Sequence, residues 1–443
     1  MANGEDRAMN RPVTIAYLIG SLETGGAEGQ LMELLRRLDR TRFQPRLILL
    51  EAGIIPPICG LADEVCVLGV PIEPERARRA RGSRALKAFL RLCRYLRRTR
   101  PDILHAHLPQ SCILGLTAGI LCQVPVVIGS RRSLSAVYRD GCWTRSLTDR
   151  LSTGFSHFMI GNAEAVTREL IDVDGLFAAK TATIYNGVDT DRFRPGRSES
   201  WRTRYGWNNG EVVFGMVANF FGYKRHVDLV EAAAILHRKY PTTRFVMAGQ
   251  DRGEMPAVMA AIAGRDLCDV VQVVPGTSRP EDLYAALDVL VCCSDTEGFS
   301  NVILEGMATG KAVIATDVGG NIEAVADGIT GFLVPRRSPS ALAQAAERLV
   351  QDQELRQVMG RNGRQRVEAQ FSVLKMVRAH ERLYAQLLER KGLWSECLPP
   401  VSDLERAAPS AGSDSWISTV TQSEIAPASP PSRSPFTANE HLR

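Results

Sequence analysis

The sequence predicts an α/β protein of two doubly wound, Rossmann-like domains facing each other across a cleft. Three observations predict it. Short runs rich in Val, Ile and Leu alternate with helical patterns from Val13 to Val334. Continuous apolar strands separated by helices indicate parallel sheets covered on both faces. The runs also fall into two sets, divided by a turn-rich segment from Tyr185 to Pro195, and 443 residues suffice for two ordinary domains.

The first set of expected strands is Val13–Gly20, Pro45–Leu50, Glu64–Leu68, Asp102–Ala106, Val124–Gly129 and His157–Gly161. The second set is Val212–Ala218, Thr243–Ala248, Val270–Val274, Val289–Cys293, Ala312–Ala315 and Gly331–Val334. A periodic pattern from Ser372 to Glu389 predicts a terminal helix. The expected domains are therefore 1–195 and 196–371. From about Ser395 the composition turns to Ser, Pro and Ala, so 395–443 reads as a disordered tail. In open parallel sheets, ligands bind beyond the carboxyl ends of the strands. Two such edges opposite each other make the cleft.

Bulk properties narrow the function. The chain is 45% hydrophobic, yet no run of about eighteen apolar residues occurs. The polar stretch 1–11 reads as neither signal peptide nor anchor, so a cytoplasmic location is expected. The net charge is only +5, but arginine is concentrated from Arg76 to Arg100. There Leu86, Phe89, Leu90, Leu92, Cys93 and Leu96 fall at helical spacing among the cations. One reading is a basic amphipathic face on the anionic inner surface of the plasma membrane. The other is a packed helix with a solvated basic side. Nucleic acid is disfavoured, because aromatic residues are not interleaved there. The ten cysteines lack paired ligand spacing and read as reduced. Cys292 and Cys293 are adjacent in a strand and should face opposite sides.

The most informative stretch runs from Glu297 through Gly298, Phe299, Ser300 and Asn301 to Glu305. It reads as a loop entering a helix, with Ser300 as N-cap, Asn301 to Thr309 as the helix and Gly310 as its end. A helix start offers backbone N–H groups and a positive dipole end to a phosphate. Gly298 lets backbone approach a ligand closely. Glu305 lies one turn in, about 6 Å from the start, where a carboxylate can take two neighbouring hydroxyls of a ribose. Glu297, before the helix, can meet another part of the same ligand.

At these residues the chain resembles the glutamate-x7-glutamate motif of retaining glycosyltransferases with the GT-B fold, and is similar to family 4 of that class. The match continues from Gly306 to Gly320. The resemblance implies that Glu297 contacts the transferred sugar and Glu305 the nucleotide ribose, with Gly298, Phe299, Ser300 and Asn301 along the donor. It also implies that the terminal helix returns to the first domain.

The other motifs fall at strand ends. Gly25 and Gly26 follow the first strand and resemble the family's loop beside the donor phosphate. This is not a G-x-G-x-x-G fingerprint, so a nicotinamide cofactor is disfavoured. At the first strand of the second domain, the family usually has an arginine and a lysine on the diphosphate. Here Asn219 stands at the arginine position and Lys224 at the lysine, with Arg225 as a substitute cation. His105 and His107 alternate onto one face, and the resemblance makes His107 a candidate for the acceptor side. The family's histidine near Ser130 is absent. Arg131 or Arg132 can instead offer charge to the leaving phosphate, unless the tandem is salt-bridged. Asp189 and Asp191 read as turn chemistry rather than a metal pair. No metal and no cofactor is therefore expected. The donor would be a nucleotide diphosphate sugar, and the acceptor a glycan or lipid-linked hydroxyl in cell-envelope synthesis. A nucleotide-sugar-binding subunit with little turnover, and an epimerase of similar fold, remain alternatives.

Overall fold

A computed structural model describes residues 11–22, 25–51, 62, 64–68, 83–134, 153–277 and 279–394. The expected tail, 395–443, and the arginines from Arg76 to Arg81 lie outside them. Seven parallel strands form the first sheet: β1 (Val13–Ile19), β2 (Phe43–Leu49), β3 (Glu64–Val67), β4 (Ile103–His107), β5 (Val126–Arg131), β6 (Phe158–Gly161) and β7 (Thr181–Thr183), in the order β3-β2-β1-β4-β5-β6-β7. Six form the second: β8 (Val212–Val217), β9 (Thr243–Ala248), β10 (Val271–Val274), β11 (Val289–Cys292), β12 (Ala312–Thr316) and β13 (Gly331–Val334), in the order β10-β9-β8-β11-β12-β13. In both, the order reverses beside the first strand, which opens a crevice at the carboxyl edge.

Both faces of each sheet are covered, as parallel sheets require. In β1, Val13, Ile15, Tyr17 and Ile19 join one core and Ala16 and Leu18 the other. Cys292 and Cys293 likewise enter opposite cores of the second sheet. All seven described cysteines are free. The expected strands form within two residues of their bounds. β7 was not expected: it is three half-buried residues, Thr-Ala-Thr, too short and polar to carry an apolar run.

The helices that position the site are α1 (Gly26–Arg37), α2 (Ser83–Thr99), α3 (Pro109–Leu121), α4 (Glu164–Asp172), α5 (Glu199–Tyr205), α6 (His226–Lys239), α7 (Met255–Ala263), α8 (Pro280–Ala286) and α9 (Asn301–Ala308). They are followed by α10 (Asn321–Ala324), α11 (Pro339–Gln351), α12 (Gln353–Gln370) and α13 (Val373–Glu389). Helix α13 buries Val373, Met376, Val377, Leu383, Tyr384 and Leu388 in a core shared with β1 and β2 of the first sheet. Ser372 caps it by accepting from Lys375 N. No described helix is long and apolar enough to cross a membrane.

Candidate functional site

The carboxyl edges of the two sheets meet through α9 and the loops around it. Asn301, the first residue of α9, ties three segments together. Its Nδ2 donates to Gly26 O (3.0 Å), and its Oδ1 accepts from Asn186 Nδ2 (2.7 Å) and Gln30 Nε2 (3.3 Å). The Gly25–Gly26 turn, the segment after β7 and the start of α9 are thereby one unit. Gln30 clamps Gly187 from both sides, donating to its carbonyl (2.8 Å) and accepting from its N–H (2.9 Å). Asn301 is thus a strut, not a group turned to a donor.

The run before α9 departs from expectation in three ways. A Cβ on Gly298 would lie 2.3 Å from Arg132 O, so the close approach it permits is to the first domain's backbone, not to a ligand. Phe299 is buried and packs on Tyr185 (4.9 Å) and Phe371 (5.2 Å), which makes it a core anchor. Ser300 occupies the N-cap position, but its side chain makes no capping bond. Its hydroxyl lies 3.8 Å from Cys292 Sγ instead. The helix ends at Ala308, with Thr309 as C-cap and Gly310 left-handed at φ 71°.

The two glutamates do sit at this edge. Glu297 Oε1 accepts from Lys224 Nζ (2.6 Å) and from Ser294 Oγ (2.6 Å). Ser294 lies two residues past the end of β11, and its own carbonyl is held by Thr316 Oγ1 (2.7 Å). Burial works against the Lys224 ammonium, but Glu297, Cys292 and Tyr223 outweigh it and move its titration above the ordinary lysine value. Glu305 Oε2 accepts from Tyr284 Oη (2.7 Å). Burial raises Glu305 to about 7, against the Tyr284 hydrogen bond and the Arg192 charge, which lower it.

The remaining cations are arranged differently from the sequence reading. Arg131, expected at the leaving phosphate, is buried in an ion pair with Asp174, with Glu169 at 3.9 Å. Adjacent strand residues point to opposite faces, so the next arginine takes the cleft side. Arg132 Nη1 donates to Asn186 Oδ1 (2.7 Å), while its Nε has no partner among the described residues. Burial pulls the Arg132 guanidinium down to about 10, although Glu28 and Tyr384 favour its charge. Arg225, the substitute cation, is left-handed at φ 59° and forks onto Asp228 (2.7 and 3.2 Å). Asn219 Oδ1 accepts from Gln250 N (3.0 Å) and closes the loop after β8. Of the expected diphosphate readers, Lys224 alone contacts Glu297.

His105 and His107 do share a face, with ring centroids 4.1 Å apart, but they are sealed beneath α13. His105 joins Tyr384 Oη through Nδ1 (2.8 Å) and Ser130 Oγ through Nε2 (2.7 Å). His107 is fully buried, and among the described residues neither ring nitrogen has a partner, so it presents no surface to an acceptor. Burial first, then neighbouring positive charge, lowers both imidazoles well below the usual value. Asp189 Oδ1 accepts from Asp191 N and Arg192 N (3.0 Å each), the turn geometry expected of it. Among the described residues, no group of three or more His, Cys, Asp or Glu is arranged to hold a metal ion.

Sequence reasoning missed Tyr284 and Ser294. Ser294 stands at a strand's carboxyl end, which was a usable signal. Tyr284 reaches Glu305 only through tertiary packing of α8 on α9.

Two family models match: "Glycosyltransferase Family 4" over residues 24–192 and "Glycosyl transferases group 1" over 197–366. The chain is 25% identical over 311 residues to the capsular polysaccharide biosynthesis glycosyltransferase CapM of Staphylococcus aureus, covering 69% of this chain and 82% of that one. It is 25% identical over 390 residues to the UDP-Gal:alpha-D-GlcNAc-diphosphoundecaprenol alpha-1,3-galactosyltransferase of Escherichia coli, covering 82% and 97%. The fold is similar to that of Anabaena Alr3699/HepE, solved in complex with UDP-glucose, with TM-score 0.73, 21% identity and coverage of 84% and 99%. The chain belongs to the group 1, family 4 glycosyltransferases of the GT-B fold.

Proposed function

We propose that this enzyme transfers a sugar from a nucleotide diphosphate sugar to an acceptor hydroxyl with retention, in cell-envelope polysaccharide or glycolipid synthesis. The observation that carries the reading is the meeting of Lys224 and Glu297 at 2.6 Å beside the start of α9. A cation for the diphosphate and a carboxylate for the sugar stand where a donor would join them. The ribose then falls to Glu305, one turn inside α9. HepE's complex with UDP-glucose supports the donor class.

The acceptor oxygen attacks the anomeric carbon from the face that the diphosphate leaves. The bond from that carbon to the diphosphate oxygen breaks, and its electron pair goes to the diphosphate. The acceptor proton passes to the same leaving oxygen. Glu297 orients the sugar and opposes the positive charge that develops on it. Lys224 and the α9 dipole stabilise the departing anion. No metal enters this scheme.

The test is a panel of UDP, GDP and ADP sugars, read by thermal shift and then by transfer to lipid-linked and free glycans with and without EDTA. A ligand at 100 times its Kd adds about 2.7 kcal/mol of stability. Binding without transfer to any acceptor, or a C2-inverted donor, would refute the transferase reading. Loss of transfer in EDTA, restored by Mg²⁺, would refute its metal-free form.

The reading extends to a peripheral, anionic membrane surface as the acceptor's location. Helix α2 turns Leu92, Cys93, Tyr95 and Leu96 inward. Its outer face carries Lys87, Arg91, Arg94, Arg97 and Arg98, and Leu86 and Leu90 lie on that face 58% and 53% exposed. Two leucines that the helix does not bury, beside five cations, suit an interface. Each cation near an anionic surface contributes roughly 1 kcal/mol, screened by salt. Flotation should favour anionic over neutral liposomes at low salt only. Equal recovery with both removes the membrane.

A further inference from the structure

We propose that Tyr284 is a positioning residue for nucleotide binding, holding one oxygen of Glu305 so that the other is presented to the ligand. The proposal rests on the ribose role given to Glu305 above. Among the described residues, Tyr284 is the one side chain that donates to the Glu305 carboxylate, at 2.7 Å on Oε2. Tyr284 itself is fully buried, and its ring packs edge-on against Phe193 (5.8 Å) within the core beneath α9. A buried hydroxyl with one short bond has a single purpose for its proton, and here that purpose is to fix Glu305.

The arrangement has a chemical consequence. A neutral donor occupies one oxygen without cancelling the charge, so the carboxylate stays a strong acceptor for ribose hydroxyls. Had a lysine or arginine held Glu305, the ligand would compete with a full ion pair. The arginine whose charge acts on Glu305 is otherwise engaged: Arg192 is paired with Glu281 of α8 at 2.8 Å. Glu281 and Arg192 are the charged groups that act on Glu305 from α8 and from the segment before α5. From α12, Arg364 turns to the backbone carbonyls of Ala308, Thr190 and Phe193. Tyr284 is thus the neutral member of a charged setting.

A hydrogen bond donated to a carboxylate favours its ionised form. Burial already moves Glu305 to about 7, so the Tyr284 bond governs how much of it is ionised near neutrality. Nucleotide affinity should therefore rise with pH, and the midpoint should depend on the residue at 284. The test uses UDP-glucose, GDP-mannose and ADP-glucose, whose diphosphates do not titrate in this range, with Kd measured calorimetrically from pH 6 to 9. Tyr284→Phe keeps the ring and removes the donor. It should raise Kd about tenfold at pH 6.5, and the deficit should shrink to less than about threefold at pH 9. In a Glu305→Gln background, where nothing titrates, Tyr284→Phe should change Kd by less than about twofold at every pH.

A second substitution guards against misfolding. Placing 3-fluorotyrosine at 284 preserves shape and strengthens the donor, so the midpoint should move down. An unchanged midpoint in either variant, or a Kd ratio constant with pH, overturns the positioning role while leaving Glu305 in place. If Glu305→Ala does not weaken any of the three ligands, or none of them binds, the ribose reading itself fails and takes this proposal with it.

Discussion

Glu297 and Glu305 are separated by one turn of helix and by their partners, and that difference predicts different phenotypes. Among the described residues Glu305 is hydrogen-bonded by Tyr284 and ion-paired with no cation, so its acceptor capacity is available to the nucleotide proposed to bind there. Glu305→Ala should weaken nucleotide binding by about 1.5–3 kcal/mol, measured by titration calorimetry. Glu297 meets Lys224 and Ser294 and is proposed to contact the transferred sugar, so Glu297→Gln should lower the transfer rate at saturating donor and leave nucleotide affinity nearly unchanged. Equal loss of affinity in both variants would merge the two roles. Arg131 predicts the opposite kind of result. It is buried against Asp174, so removing it strips a buried carboxylate of a cationic partner. Arg131→Ala should cost stability by about 3–5 kcal/mol in urea unfolding. A stable variant with impaired transfer would return Arg131 to the leaving group. The tandem Arg131–Arg132 was legible as two cations at a strand end. Which of them faces the cleft depends on register, which a spacing cannot supply. The same limit hid Tyr284, whose partner is 21 residues away.

At the scale of elements, the strands were legible because parallel strands buried on both faces leave unbroken apolar runs. β7 was not, since a three-residue edge strand buries too little to leave one. The loop into α9 was legible as a helix start, but the jobs of its residues were not. Gly298, Phe299 and Asn301 look from sequence like a ligand-facing loop; in the fold they face protein. Phe299 packs against α12's end at Phe371, and Asn301 bonds to Gly26 and Asn186. The expected consequence is that α9 is aimed by Asn301. Asn301→Ala removes three bonds that join α9 to α1 and to the segment after β7. It should lower stability by about 1–3 kcal/mol and reduce transfer more than it reduces nucleotide affinity. A variant with normal stability and a selective loss of nucleotide binding would restore Asn301 as a donor ligand.

Across the whole molecule, the first sheet is closed by α13, the last described helix, and the closure is built around neutral histidines. His380 on α13 lies 6.0 Å from His105 of β4, whose ring also meets Tyr384 of α13. Burial lowers His380 to about 4, holds His105 and His107 well below their usual value, and brings His226 of α6 to about 4. In the unfolded chain these groups titrate near 6.5. The folded state refuses protons that the unfolded state accepts, so their stabilisation is complete above pH 6.5 and is lost as pH falls toward 4. His226 and His380 should each account for about 3 kcal/mol across that window. Glu305, raised to about 7, and Glu381, also raised, act in the opposite sense: they bind protons first in the fold and add stability as pH falls. Five imidazoles, with His157 before β6 also lowered by burial, outweigh two carboxyls, so urea midpoints should fall between pH 7 and 5. Three of the five lie at the α13 contact, so the loss should begin there. Amide exchange in α13 should accelerate at pH 5 before exchange in β8, β11 and β12 does. A midpoint that holds or rises down to pH 5, or exchange that loosens the second sheet first, would show that the histidines are not what acid attacks.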